Sequence, residues 1–292
     1  MKIELLIGET VEAGIEWLSI AAEPFFDGIT VGVEGMVQSF QGLLMLPHPF
    51  LMMVLLAIAA YLLMARLHGV LTKEGFKAGR GMFIFTIIGF FLLYGMGFWE
   101  ETMQTLALVI ASAIIALFIG IPLGILAAKS DTAEGIIRPI LDFMQTMPAF
   151  VYLIPAILFF SVGNVPGVVA TVVFSLPPAV RLTSLGIRNV QEDVIEASHA
   201  FGCTENQLLF KVQIPLAMPT ILAGVNQVIM LALSMVVIAS MVGAAGLGEK
   251  VYKGILTANV GLGFEAGVGI VIIAIFLDRI TQSLGQSRRD VS

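Results

Sequence analysis

Long apolar runs without polar alternation constrain this chain more than any other feature. Seven stand out, near Leu46–Leu67, Met82–Phe98, Thr102–Ala128, Pro139–Val162, Val165–Ile187, Pro219–Val242 and Glu265–Leu284. Each has about 20 residues, the length a helix needs to cross some 30 Å of hydrocarbon. In lipid every backbone N–H and C=O must find an internal partner, so such runs are helices rather than strands of an open sheet. Composition agrees, with 58% hydrophobic and 12% charged residues and a mean hydropathy of +0.98, far outside the soluble range. The expectation is an all-α protein with about seven transmembrane helices in a lipid bilayer.

Several function classes fall away at once. The net charge of -6 comes with no concentrated basic face, which argues against nucleic acid as a partner. Cys203 is the only cysteine, so neither a disulfide framework nor a multi-cysteine metal site is expected. Neither H-E-x-x-H nor G-x-S-x-G occurs, and His48, His68 and His199 all fall at span ends or in loops. No catalytic residue and no metal site is therefore assigned.

Lys and Arg remain preferentially in cytoplasmic loops. With the N-terminus outside, Arg66, Lys73, Lys77, Arg80, Lys129, Arg138, Arg181, Arg188, Lys211, Arg279, Arg288 and Arg289 lie at or near the inner face, against Lys2, Lys250 and Lys253 outside. This predicts an outer N-terminus and a cytoplasmic C-terminus. Residues 1–45 carry Glu4, Glu9, Glu12, Glu16, Glu23, Asp27 and Glu34 against the single base Lys2. Val11, Ile15 and Leu18 recur there at helical spacing beside Trp17, as in an amphipathic helix on a membrane surface; a disordered acidic tail is the alternative. No cleavable signal peptide is expected at the start, where an acidic stretch follows Met1-Lys2.

The longest polar insertion among the spans runs from Arg188 to Pro215, and a long loop without a reason is uncommon. Ile195, Ser198, His199 and Gly202 share one face of a short predicted helix, with Ala197 and Ala200 beside it for close docking. Gly202 can end that helix in the left-handed conformation. A second short helix is expected from Glu205, stopping at Pro215. Two helices at an angle form a projecting elbow.

Within that elbow, Glu196-Ala197-Ser198, three residues, Gly202, nine residues, then Val212-Gln213-Ile214-Pro215 resembles the EAA signature of binding-protein-dependent ABC importer permeases. Ser198 replaces the third Ala, Val212 an Ile and Ile214 a Leu, with every spacing kept. The stretches Met144–Pro155, Leu231–Gly243, Gly243–Gly248 and Trp99–Leu108 are similar to the glycine betaine/proline betaine branch of that family. The resemblance implies a type I ABC importer permease fold whose core spans residues 99–285 and includes the coupling loop 188–215. Two accessory helices (46–98), the acidic tail (1–45) and a short cytoplasmic tail (286–292) complete the expected organisation.

The resemblance further implies that Glu196, Ala197, Ser198, Gly202, Val212, Ile214 and Pro215 dock on a cytoplasmic ABC ATPase. No G-x-x-x-x-G-K-[ST] loop occurs in this chain, so no cofactor is assigned to it; ATP and Mg would be bound by the partner ATPase subunits. An external solute-binding protein and a second permease copy, forming a homodimer, are the other partners implied. The implied activity is ATP-driven import of glycine betaine, proline betaine or a related quaternary ammonium osmolyte across the bacterial inner membrane. A secondary transporter or channel is the alternative, and it often needs intramembrane charges for ion coupling. Asp142, Arg181, Glu265, Asp278 and Arg279 fall toward span ends instead, as helix anchors do. Gln104, Gln145, Thr146, Asn226 and Ser234 are candidates for lining a translocation path, and hydrogen bonding between helices is their other reading. Phe150 and Tyr152 are candidate aromatic contacts for a quaternary ammonium group, which offers no N–H to bond; interfacial anchoring is the alternative.

Overall fold

A computed structural model describes residues 7–67 and 73–286. Lys2, His68, Arg288, Arg289 and the expected tail after Gln286 lie outside the described residues. All regular structure among the described residues is helical: α1 (Ile7–Ala21), α2 (Glu23–Met45), α3 (Pro49–Leu67), α4 (Lys73–Gly95), α5 (Trp99–Lys129), α6 (Asp131–Thr146), α7 (Ala149–Phe160), α8 (Asn164–Arg188), α9 (Glu192–Ala200), α10 (Glu205–Leu208), a π-helical turn (Leu209–Gln213), α11 (Ile214–Ser240), α12 (Leu247–Leu256) and α13 (Val260–Gln286).

The seven apolar runs fall on these helices, but they do not make seven straight rods. Among the described residues, four helical stretches are long and apolar enough to cross a membrane: Trp99–Lys129, Asn164–Arg188, Glu205–Ser240 and Val260–Ser283. The run expected over Pro139–Val162 is instead two helices, α6 and α7, bent by 100°. Pro148 explains the break: it has no N–H to offer, and its ring drives the preceding residue out of the helical region. Met147 accordingly sits at ψ 137° and Pro148 at ψ 136°, both extended. A second bend of 101° separates α2 from α3, at Pro47-His48-Pro49. Counting each bent pair as one span gives up to six crossings, with Gly79–Gly95 of α4 a shorter apolar helix besides.

The described part of the acidic N-terminal segment forms two helices, α1 and α2, the second of them packed on the bundle. In α2, Val33, Val37 and Leu44 are buried, and the helix packs on α5, α7 and α8. Phe26 stacks on Phe159 of α7 with ring centroids 4.4 Å apart. In α1, Trp17 and Ile20 remain exposed.

The centre of the bundle is α8, which packs most extensively on α5 and α11. Small residues permit the approach, since lipid supplies little hydrophobic drive and van der Waals contact must hold the helices. An added Cβ at Gly124 of α5 would lie 2.7 Å from the Val180 carbonyl oxygen and 2.6 Å from Thr183 Cβ of α8. At one end of the bundle, the turn after α11 is knitted to its neighbours. Asn164 Oδ1 accepts from Ala245 N–H at 2.9 Å, Thr105 Oγ1 accepts from Leu247 N–H at 2.9 Å, and Lys250 Nζ lies 3.0 Å from Glu101 Oε1. That carboxylate holds Lys250 protonated above the usual lysine range, against the opposing effect of burial. The other end carries the Arg188–Pro215 elbow.

Candidate functional site

Helix α9 has no buried residue, and it contacts α10. Glu196, Ala197 and Gly202 are exposed, whereas Ser198 is half-buried with its hydroxyl donating to Val194 O at 2.7 Å. The Ser-for-Ala departure from the signature is thus absorbed inside the helix. Phe201, at the C-cap, is 91% exposed.

The helix ends through paired backbone bonds. Gly202 N–H donates to His199 O at 2.8 Å and Cys203 N–H to Ser198 O at 3.1 Å, the two bonds of a Schellman motif. The motif needs a left-handed residue, and Gly202 has φ +79° with nothing within 4 Å of the place a Cβ would occupy. Thr204 then starts α10 with a reciprocal capping box: its hydroxyl accepts from Gln207 N–H while Gln207 Oε1 accepts from Thr204 N–H. His199 Nε2 stands 3.9 Å from Glu205 Oε1 across the corner.

Pro215 does not stop the second helix. The chain runs from Glu205 to Ser240 as one span, because the turn before Pro215 widens to a π-helix whose Ile214 N–H reaches back to Leu209 O. A π turn is a common way to insert an extra residue into a helix, and here it accommodates a proline that has no N–H to contribute. Val212, Ile214 and Pro215 are half-buried. Ile214 packs with Leu209, Ala217, Ile221 and Ile187, backed by Ile121, Ile125 and Ala128 of α5. The elbow therefore has a projecting arm, α9, and a root set in the α5–α8–α11 bundle.

The candidate path residues fall into separate places. Gln145, Thr146, Phe150 and Tyr152 come together at the α6–α7 bend. Gln145, Thr146 and Phe150 are exposed, Thr146 Oγ1 donates to Phe143 O at 3.2 Å, and the Tyr152 hydroxyl donates to Met144 O across the bend. Ser234 lies with Gln227 and Met230 on an exposed face of α11, its hydroxyl returned to Met230 O at 2.9 Å. Gln104 bonds within its own helix, to Glu100 Oε1 at 3.3 Å. Asn226 joins helices: it donates to Asp278 Oδ1 at 3.1 Å and accepts from Thr281 Oγ1 at 2.6 Å.

Charged residues expected to act as helix anchors link α6 to α8. Arg181 pairs with Asp142 at 2.5 Å, and Arg188 with Asp131 at 2.8 Å and Glu134 at 3.0 Å. Glu134, Asp142, Arg181 and Arg188 border a cavity of about 270 Å³ that Arg138, Leu141, Val180 and Ser184 also line. The Arg188 pairs are not foreseen from the sequence; Asp131 and Glu134 in the first turn of one helix and Arg188 in the last turn of another are the signal that could have found them. No cluster of three or more potential metal ligands occurs among the described residues.

Comparison with known proteins places this geometry. The chain is 49% identical over 279 residues to the glycine betaine transport system permease protein OpuAB of Bacillus subtilis, covering 95% of this chain and 94% of that one. It is 50% identical over 267 residues to the glycine betaine/carnitine transport permease protein GbuB of Listeria monocytogenes, covering 91% of each. Over 280 residues it is 48% identical to the glycine betaine/proline betaine transport system permease protein ProW of Escherichia coli, covering 96% of this chain and 75% of that one. Its fold is similar to a chain of the MetNI methionine ABC transporter in an inward-facing conformation, with a TM-score of 0.56, 24% identity, and coverage of 62% of this chain and 92% of that one. Residues 120–290, which hold α8, the elbow and α11, match the family described as binding-protein-dependent transport system inner membrane component; the chain belongs to that family and is a multi-pass inner-membrane protein.

Proposed function

We propose that this chain is the translocating subunit of an ATP-driven importer of glycine betaine, proline betaine or a related quaternary ammonium osmolyte. The relatives named for glycine betaine, carnitine and proline betaine transport support the solute class. In this reading two copies of the chain pair around a central pathway. The elbow faces the cytoplasm and docks on a separate ATPase, which binds ATP and Mg, and a solute-binding protein docks outside. The Lys/Arg distribution supports that orientation. Residues 99–285 act as the core, the helices before it as accessory elements.

One observation carries the reading: α9 presents the Glu196-Ala197-Ser198 pattern on a helix with no buried residue, held at a fixed angle by the Gly202 turn. Val194, Ile195 and Ser198 are half-buried on the inner side of α9, which leaves Glu196, Ala197 and the 91% exposed Phe201 for a partner to cover. ATP binding moves the ATPases, the elbows carry that motion, and the spans change the side to which the pathway opens. Gln104, Gln145, Thr146, Phe150, Tyr152, Asn226 and Ser234 are the proposed path set; Phe150, Tyr152, Gln145, Thr146 and Ser234 fit it best, whereas the bonds of Gln104 and Asn226 suit helix positioning.

Substitution on α9 tests the docking. Ala197→Trp adds bulk at the proposed contact and is expected to abolish ATPase co-purification and uptake, with membrane insertion retained. Glu196→Gln keeps the size, loses an exposed carboxylate that could meet a cation on the partner, and should weaken docking a few-fold. Full co-purification, hydrolysis and uptake in Ala197→Trp would remove the elbow from the docking surface.

A further inference from the structure

We infer that Arg188 is the positioning residue that transmits elbow movement to the bent α6–α7 pair. The inference rests on the importer reading above and concerns the step between ATPase docking and opening of the pathway. Arg188 ends α8, and three residues, 189–191, separate it from α9. Its guanidinium serves three acceptors on two other elements: Asp131 Oδ1 at 2.8 Å, Glu134 Oε2 at 3.0 Å and Ala127 O at 2.8 Å. Ala127 O belongs to the last turn of α5, where carbonyls lack intrahelical donors. Asp131 and Glu134 belong to the first turn of α6. The planar fork of Arg holds such acceptors in a fixed geometry, which a point-charge ammonium does only in part.

The surrounding packing determines which element can respond. Helices α5, α8 and α11 meet through glycines and small residues, and close-packed contacts resist sliding. Helix α6 is attached differently. Leu141, the buried residue of α6, packs against Leu176 and Val180 with Ile137 and Met144 partly buried on either side of it, while the cavity of about 270 Å³ opens between α6 and α8 along Glu134, Ile137, Arg138, Arg181, Ser184 and Arg188. Helix α6 can therefore pivot about Leu141, with its first turn tied by Arg188. Water-accessible ion pairs break and re-form at little cost, so this tie can be adjusted during a cycle. Beyond the pivot, α6 leads through the Met147-Pro148 bend to Phe150 and Tyr152. Movement of α9 would reach the candidate path through Arg188, Asp131 and Glu134.

The test uses the complete importer, permease with its ATPase and binding protein, in vesicles, reading solute uptake per ATP hydrolysed. Arg188→Gln is expected to retain the ATPase subunit and hydrolysis within about twofold while uptake per ATP falls at least tenfold. Arg188→Lys should recover part of the ratio. The Asp131→Asn, Glu134→Gln pair leaves α8 unaltered and should reproduce the loss; it decides the matter if Arg188→Gln does not assemble. An unchanged ratio in the acceptor pair, or failure of both variants to assemble, would overturn the transmitting role. That result would leave the importer reading intact provided the unmodified complex takes up solute with ATP; without ATP-driven uptake there, the importer reading itself fails.

Discussion

Gly202 shows how much depends on a single backbone angle. Its φ of +79° lets Gly202 and Cys203 close the α9 terminus on His199 and Ser198, and a side chain at that angle meets a conformational penalty rather than a clash, since nothing lies within 4 Å. For an L-residue the left-handed region costs roughly 1–2 kcal/mol, and a β-branched residue is the worst tolerated. Gly202→Val should therefore weaken ATPase docking about tenfold or more, a change that about 1.4 kcal/mol suffices to produce, with Gly202→Asn close to the unmodified protein. Titrating the ATPase subunit onto detergent-solubilised permease checks this; equal affinity for Val and Gly would mean that the turn is not needed for docking. The conformation of Gly202 is legible in the sequence because a glycine two residues past Ala200 ends a helix in one common way. The roles of the polar span residues are less legible. Ser234, Thr171 and Ser175 all return their hydroxyls to carbonyls four residues back, so residue type alone does not separate a path-lining hydroxyl from one satisfied by its own helix.

At the scale of elements, apolar length locates the helices and small residues set their spacing. Hydropathy falls on the α6 side of the α6–α7 bend, at Asp142, Gln145 and Thr146, but does not show a change of direction; only Pro148 carries that information. The continuation through Pro215 is illegible for the opposite reason, since a proline normally ends a helix and the π turn that accommodates it has no fixed sequence signature. In α2, the acidic residues conceal Val33, Val37 and Leu44, which face the bundle at helical spacing. The α5–α8 contact gives the firmest element-scale prediction. Gly124→Leu forces atoms into the space of Thr183 and Val180 and should cost about 1–3 kcal/mol by overpacking, seen as a lower melting temperature in detergent. Gly81→Leu on α4, where nothing lies within 4 Å, serves as the comparison and should leave the melting temperature unchanged. Equal melting of the two variants would mean that the α5–α8 approach is not close.

For the whole molecule, the two ends of the bundle are built differently. One end is closed by the Asn164–Ala245, Thr105–Leu247 and Glu101–Lys250 contacts; the other bears an arm with no buried residue and a cleft spanned by ion pairs. Such a division suits a protein that receives force at one end and redistributes it through rigid helices, and it is what membership of a binding-protein-dependent transport family leads one to expect. The most direct test is uptake of labelled glycine betaine into vesicles holding this permease, its ATPase and its binding protein, with ATP supplied on the elbow side. The account predicts accumulation that requires hydrolysable ATP, persists when ion gradients are collapsed, and is competed by other quaternary ammonium osmolytes. Accumulation that continues without ATP and stops when the gradients collapse would contradict it.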